Sequence, residues 1–172
     1  YNANEQYLEK LGKNKVFFLP YLMGERSPHN DANARGAFLG LSMDTTREDM
    51  SLAVLEGVAF AIRDSLEIAK KLGIPIKCSY LCGGGAKSPI WRKIIANVLG
   101  VGIIMPEKEE GPAYGAAILA AVGCGEFETV DEASEMLTES SCKYFPDKEL
   151  SIQYDEKYKK FKNFYPVLKG KF

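Results

Sequence analysis

The sequence predicts an α/β fold built on a parallel sheet, and three observations carry that expectation. Between residues 76 and 122, apolar runs alternate with segments of helical period: run, glycine turn, helix, run, loop, helix. Strands that alternate with helices pair in parallel through right-handed crossovers. The apolar runs, Ile76 to Cys82 and Val101 to Met105, are short and stop at glycine or proline, the residues that punctuate strands. Apolar residues make up 46% and charged residues 26% of the 172 residues, enough for one core of ordinary size.

Each element follows from local chemistry. Residues 4–12 are helical in character and stop at Gly12. Val16 to Leu19 reads as a buried strand ended by Pro20, and the polar stretch 24–35 as a long loop. Gly36 to Leu41 resumes as a strand, with glycines where another backbone comes close. Residues 46–72 give the clearest helix, with Thr45 and Glu48 expected as its capping box. Leu55, Val58, Ile62, Leu66 and Ala69 recur at three- and four-residue steps and predict its core face, with Glu56 and Asp64 on other faces. Gly73 and Pro75 end it. Ser88 is the expected N-cap of the next helix, with Pro89 at its first position. Trp91, Ile94, Ile95, Val98 and Leu99 form that helix's buried stripe, and Gly100 closes it. Along residues 112–122, Ala113, Ala116, Ala117, Ala120 and Ala121 recur at helical spacing and would let a neighbour pack closely. Two further helices are expected at 130–138 and 151–165, the second with Tyr154, Tyr158 and Phe161 on one side.

Charge and composition exclude several classes. A net charge of −1 argues against a nucleic-acid binder that works by neutralising phosphates. No apolar run approaches the roughly 18 residues that span a bilayer. Neither nucleic acid nor membrane is therefore an expected partner. Residues 143–172 hold eight Lys against four acids, which reads as a solvated helix face. Cys78, Cys82, Cys124 and Cys142 make no CxxC pair, and the single His is His29, so no zinc site is expected. Buried reduced thiols suit a cytoplasmic protein. The chain opens at Tyr1 without an initiator Met, as a piece of a longer protein would.

Three segments could carry chemistry. The first is the turn Gly83-Gly84-Gly85-Ala86-Lys87-Ser88. Its glycines let backbone approach a ligand, and the helix start behind it favours phosphate or ribose oxygens. It is neither a Walker A loop, because Ala86 stands where that motif needs glycine, nor a GxGxxG turn. A tight strand-to-helix turn with Ser88 merely capping explains it equally well. The second is Glu109 to Ala117, at the carboxyl edge of the next strand, where ligands gather in open α/β sheets. The third is the polar loop Gly24 to Gly36, with His29 as a conceivable general base and Asp31 pairing Arg35 as the structural alternative.

Taken together, LPYLMGERSPHNDANARGAFLGL, LEGVAFAIRDSL, LCGGGAKSPIWRKIIANVLG and EEGPAYGAAILAAVG resemble the carboxyl-terminal domain of the FGGY carbohydrate kinases. The likeness runs in register from Val16 to Gly125, and the GGGAKSPIWR form leans toward the branch that acts on xylulose rather than glycerol. The resemblance implies a ribonuclease H-like domain of the actin and hexokinase kind, residues 1–172 being the carboxyl-terminal half of a two-domain sugar kinase without its first strands. It implies ATP and Mg²⁺ in a cleft shared with an amino-terminal domain, and phosphoryl transfer to a sugar hydroxyl. Gly83, Gly84, Gly85, Ala86, Lys87 and Ser88 would hold the adenosine and α-phosphate, with Asn97 lining the adenine side.

The same resemblance places the catalytic Asp and the sugar site in the amino-terminal domain, so no catalytic residue is expected here and the isolated chain should be inactive. Other sugar and polyol substrates (glycerol, gluconate, ribulose) remain alternatives. A non-catalytic actin-like module that binds nucleotide or a partner is the alternative of another class. A separated half should leave an apolar face near Phe17, Phe18 and Leu39, which a homodimer would cover.

Overall fold

The computed structural model describes residues 5–106, 111–138 and 140–172. The order is α1 (Glu5–Lys10), β1 (Phe17–Leu19), β2 (Ala37–Leu39), α2 (Arg47–Lys71), β3 (Cys78–Tyr80), a 3₁₀ turn (Gly84–Lys87), α3 (Pro89–Leu99), β4 (Gly102–Pro106), α4 (Gly111–Gly123), α5 (Val130–Leu137), β5 (Ser140–Tyr144), α6 (Lys148–Phe161) and α7 (Phe164–Leu168).

Two small sheets replace the single parallel one. β1 and β2 pair antiparallel, Phe18 opposite Phe38. β3 runs parallel to β4, Ser79 opposite Ile103, as the strand–helix–strand order predicts. β5 then adds antiparallel to the other edge of β4, with a register irregularity between Met105 and Pro106. Pro106 is the last residue of β4, at the kind of irregularity where a missing N–H is tolerated. Among the described residues β3 pairs on one edge only, with β4, and its three side chains are exposed; Cys78, Cys82 and Cys124 are exposed thiols, not the buried ones expected.

α2 is capped one residue later than expected. Thr46 accepts the Asp49 N–H and the Asp49 carboxylate returns the bond to the Thr46 N–H. The Thr45 hydroxyl instead accepts from the Ser42 N–H. Lys10 reaches Asp49 at 2.8 Å and ties α1 to this cap.

The buried face of α2 also differs from the expected stripe. Leu52, Ala53, Glu56, Gly57, Ala59, Phe60 and Asp64 are buried, whereas Ile62 is exposed. Gly57 explains the rotation: a Cβ there would overlap the Phe18 carbonyl oxygen of β1. The helix turns its glycine to the strand and carries its acids inward. Lys157 on α6 meets Glu56 in a buried ion pair, so the basic tail is not wholly a solvated face. The core unites Leu19, Leu52, Phe60, Ile94, Val98, Ile103, Tyr154 and Phe161. Phe17 is buried within it, against Phe164, and Phe18 is buried in a smaller cluster with Val16 and Ala53, so these phenylalanines do not form the apolar face expected of a separated half.

Candidate functional site

The glycine turn follows β3 and feeds α3, as the sequence predicts. Gly83 opens it at φ 91°, a left-handed conformation that side chains resist. The Ala86 N–H then donates to the Gly83 carbonyl and the Ser88 N–H to the Gly85 carbonyl, both at 3.0 Å. Ser88 caps α3 by accepting the Trp91 N–H at 3.4 Å, with Pro89 in the first turn. Ala86 is buried and anchors the turn from beneath.

The three glycines are glycines for different reasons. Gly83 needs its φ. Gly85 needs its lack of a side chain, because a Cβ there would lie inside the Trp91 ring. Gly84 is exposed, is absent from the glycines at positive φ, and a Cβ built on it meets nothing within 4 Å. Neither its backbone conformation nor packing among the described residues requires glycine there.

A groove of about 520 Å³ opens beside the turn. Gly84, Gly85 and Ser88 form one wall, and Tyr7, Ser51, Val54, Leu55, Ile90 and Trp91 line the rest. A mostly apolar slot that carries glycine backbone and the hydroxyls of Tyr7, Ser51 and Ser88 is suited to a flat, partly polar ligand. The sequence pointed to Gly84 and Ser88 but missed Tyr7, Val54 and Trp91, which read there as ordinary apolar residues. Asn97 does not line this groove. It is buried, with its Nδ2 donating to the Lys93 carbonyl at 2.7 Å and its Oδ1 accepting the Asp147 N–H at 2.7 Å and the Ser151 hydroxyl at 3.2 Å. Its amide clamps α3 to the start of α6.

The second segment does come to the first. A Cβ on Gly111, where α4 begins, would stand 4.0 Å from the Cys82 Cβ, one residue before the glycine turn. Ala113, Ala116, Ala117 and Ala120 are exposed, and the described element that α4 packs on is α5. Glu109 and Glu110 lie outside the described residues, as does the side chain of Cys142.

The third segment is a fastened loop. Glu25 and Asp31 exchange backbone hydrogen bonds of 2.8 and 2.7 Å, and the Glu25 carboxylate accepts from the Ser27 and His29 amides. Asp31 accepts from the Tyr165 hydroxyl at 2.8 Å, while Arg35 donates to the Ala32 and Ala34 carbonyls. The expected Asp31–Arg35 pair is replaced by these. His29 stacks on Tyr165, rings 3.8 Å apart, and its Nε2 lies 3.9 Å from Asp64. Burial raises the Asp64 carboxyl above its usual range, against the lowering bond from Tyr158. Among the described residues no group of three or more His, Cys, Asp or Glu stands together as a metal site. No helix among them is long and apolar enough to cross a membrane.

Residues 1–124 match the model of the FGGY family of carbohydrate kinases, C-terminal domain. The chain belongs to the FGGY family of carbohydrate kinases. A xylulose kinase of Staphylococcus xylosus is 40% identical over 156 residues, covering 91% of this chain and 32% of that protein. A ligand-bound xylulose kinase from Lactobacillus acidophilus superposes with a TM-score of 0.83 at 28% identity, over 96% of this chain and 35% of that one. A gluconate kinase from the same organism gives 0.85 at 28% identity, over 98% and 35%. The chain therefore spans about a third of the length of the FGGY kinases it matches, and its mixed α/β fold is theirs.

Proposed function

We propose that this chain is the nucleotide-holding part of the carboxyl-terminal domain of an ATP-dependent kinase that converts D-xylulose to D-xylulose 5-phosphate. The observation that carries the reading is Gly84: a glycine that its own conformation and packing among the described residues do not need, exposed at the edge of a mostly apolar groove. A ligand that lies against the backbone accounts for it. The adenine of ATP would occupy the groove, with Gly83 to Ser88 meeting the ribose and α-phosphate. The start of α3, an eleven-residue helix, would place its dipole behind that phosphate.

In the transfer, the sugar oxygen bonds to the γ-phosphorus as the bond to the β–γ bridging oxygen breaks. The hydroxyl proton passes to a carboxylate that the family resemblance places in the amino-terminal domain. Catalysis of this kind is positioning and charge stabilisation, and this chain's share is to hold the nucleotide. Among the described residues no three His, Cys, Asp or Glu side chains stand together; Mg²⁺, when bound with ATP, would supply charge neutralisation at the phosphates. The choice of xylulose is supported by the relatives' names and the GGGAKSPIWR segment. Gluconate is the second reading, favoured by the shared fold with a gluconate kinase.

The test is Gly84→Val in the full-length protein. It should raise the KM for ATP by about ten-fold or more, the equivalent of at least about 1.4 kcal/mol of lost binding, and leave the sugar KM unchanged. Unaltered ATP kinetics would remove the assignment. A panel of xylulose, gluconate, glycerol and ribulose on the unmodified protein decides the sugar.

A further inference from the structure

We infer that Trp91 is a positioning residue for nucleotide binding, holding the Gly84–Lys87 turn in the conformation that presents Gly84 to its ligand; this rests on the nucleotide reading above. Three contacts close into a ring. The Gly85 carbonyl accepts the Ser88 N–H at 3.0 Å. The Ser88 hydroxyl accepts the Trp91 N–H at 3.4 Å. The Trp91 indole then folds back over Gly85, filling the space where a Cβ would be. Turn, cap and aromatic ring thus fix one another, and Gly84 is left exposed beside the groove.

The indole plays this part through shape. Its Nε1 is buried and makes no hydrogen bond among the described residues, so the ring is not held there by a polar partner. A phenyl ring could cover Gly85 without losing a bond, whereas a methyl could not. The indole also lines the groove, so a displaced ring changes the slot and releases the turn together.

The experiment is a double-mutant cycle in the full-length protein, read as the KM for ATP, the KM for sugar and kcat. Trp91→Ala should raise the ATP KM by about ten-fold with the sugar KM and kcat within about two-fold. Trp91→Phe should restore most of the loss. Gly85→Ala should mimic Trp91→Ala, because its methyl expels the ring. In the double variant the two effects should not add, since the methyl then has room. Full additivity, or an unchanged ATP KM in Gly85→Ala, overturns the inference. Should Trp91→Ala fail to fold, Gly85→Ala and Trp91→Phe carry the test. Gly84→Val separates the two readings. If it leaves ATP kinetics untouched, the nucleotide site itself is wrong. If it raises the ATP KM while the Gly85 and Trp91 variants do not, only the positioning role falls.

Discussion

Glu56 of α2 and Lys157 of α6, 101 residues apart, form an ion pair inside the core. Burial opposes both charges: it raises the Glu56 carboxyl and lowers the Lys157 ammonium, against the attraction between them. A buried pair of this kind adds little net stability, but removing one partner strands the other.

Lys157→Met should therefore destabilise the fold by about 3–5 kcal/mol near neutral pH. Glu56→Leu combined with Lys157→Met should recover most of that loss. The pH dependence has a definite sign. With its cation gone, Glu56 folds best protonated, so the folded carboxyl titrates above the unfolded one. Stability of Lys157→Met should be fullest below the unfolded glutamate value and fall as pH rises through the folded one. Urea denaturation of wild type, single and double variants across that range checks it. A single variant no more sensitive to alkaline pH than the double one would refute the buried charge.

The cap of α2 makes a second test. Thr46→Ala removes the acceptor for the Asp49 N–H and should cost about 1 kcal/mol. Thr45→Ala, which loses exposed turn contacts to the Ser42 N–H and hydroxyl, should cost less than about 0.5 kcal/mol. The Lys10 ammonium and the Thr46 amide hold the Asp49 carboxyl down to about 2. Its contribution is present above the ordinary aspartate value and is lost as pH falls toward 2. Asp49→Asn should flatten that acid limb in thermal melts.

Asn97 separates a structural role from a ligand role. Asn97→Ala leaves the Asp147 N–H without its side-chain acceptor and should cost about 1–3 kcal/mol of stability. The ATP KM of the folded variant should stay at the wild-type value. A selective rise in that constant would return Asn97 to the nucleotide side.

The glycine turn, the Ser88 cap and the parallel β3–β4 pair were legible in the sequence because local residues decide them. The face of α2 was not, because Glu56 and Asp64 are buried only by virtue of Lys157 and Tyr158, 101 and 94 residues away. The α2 cap slipped by one because Thr45 and Thr46 are each followed three residues on by an acid. β5, with the sequence SSCKY, has no apolar alternation and owes its strand to β4. In the site, Gly84 was visible and Trp91 was not. A tryptophan on an apolar stripe looks like core until the glycine beneath it is seen.

Helix α6 lies beyond the segment that the family match covers. The family match stops at residue 124, yet Tyr154 and Phe161 of α6 close over Phe60, and β5 covers one edge of β4. The unit that evolution's profile outlines is shorter than the unit that folds. A polypeptide cut at the profile boundary would lose the lid of its core and bare a strand edge. The last 48 residues, outside the family match, supply part of the aromatic core and one strand of the three-stranded sheet.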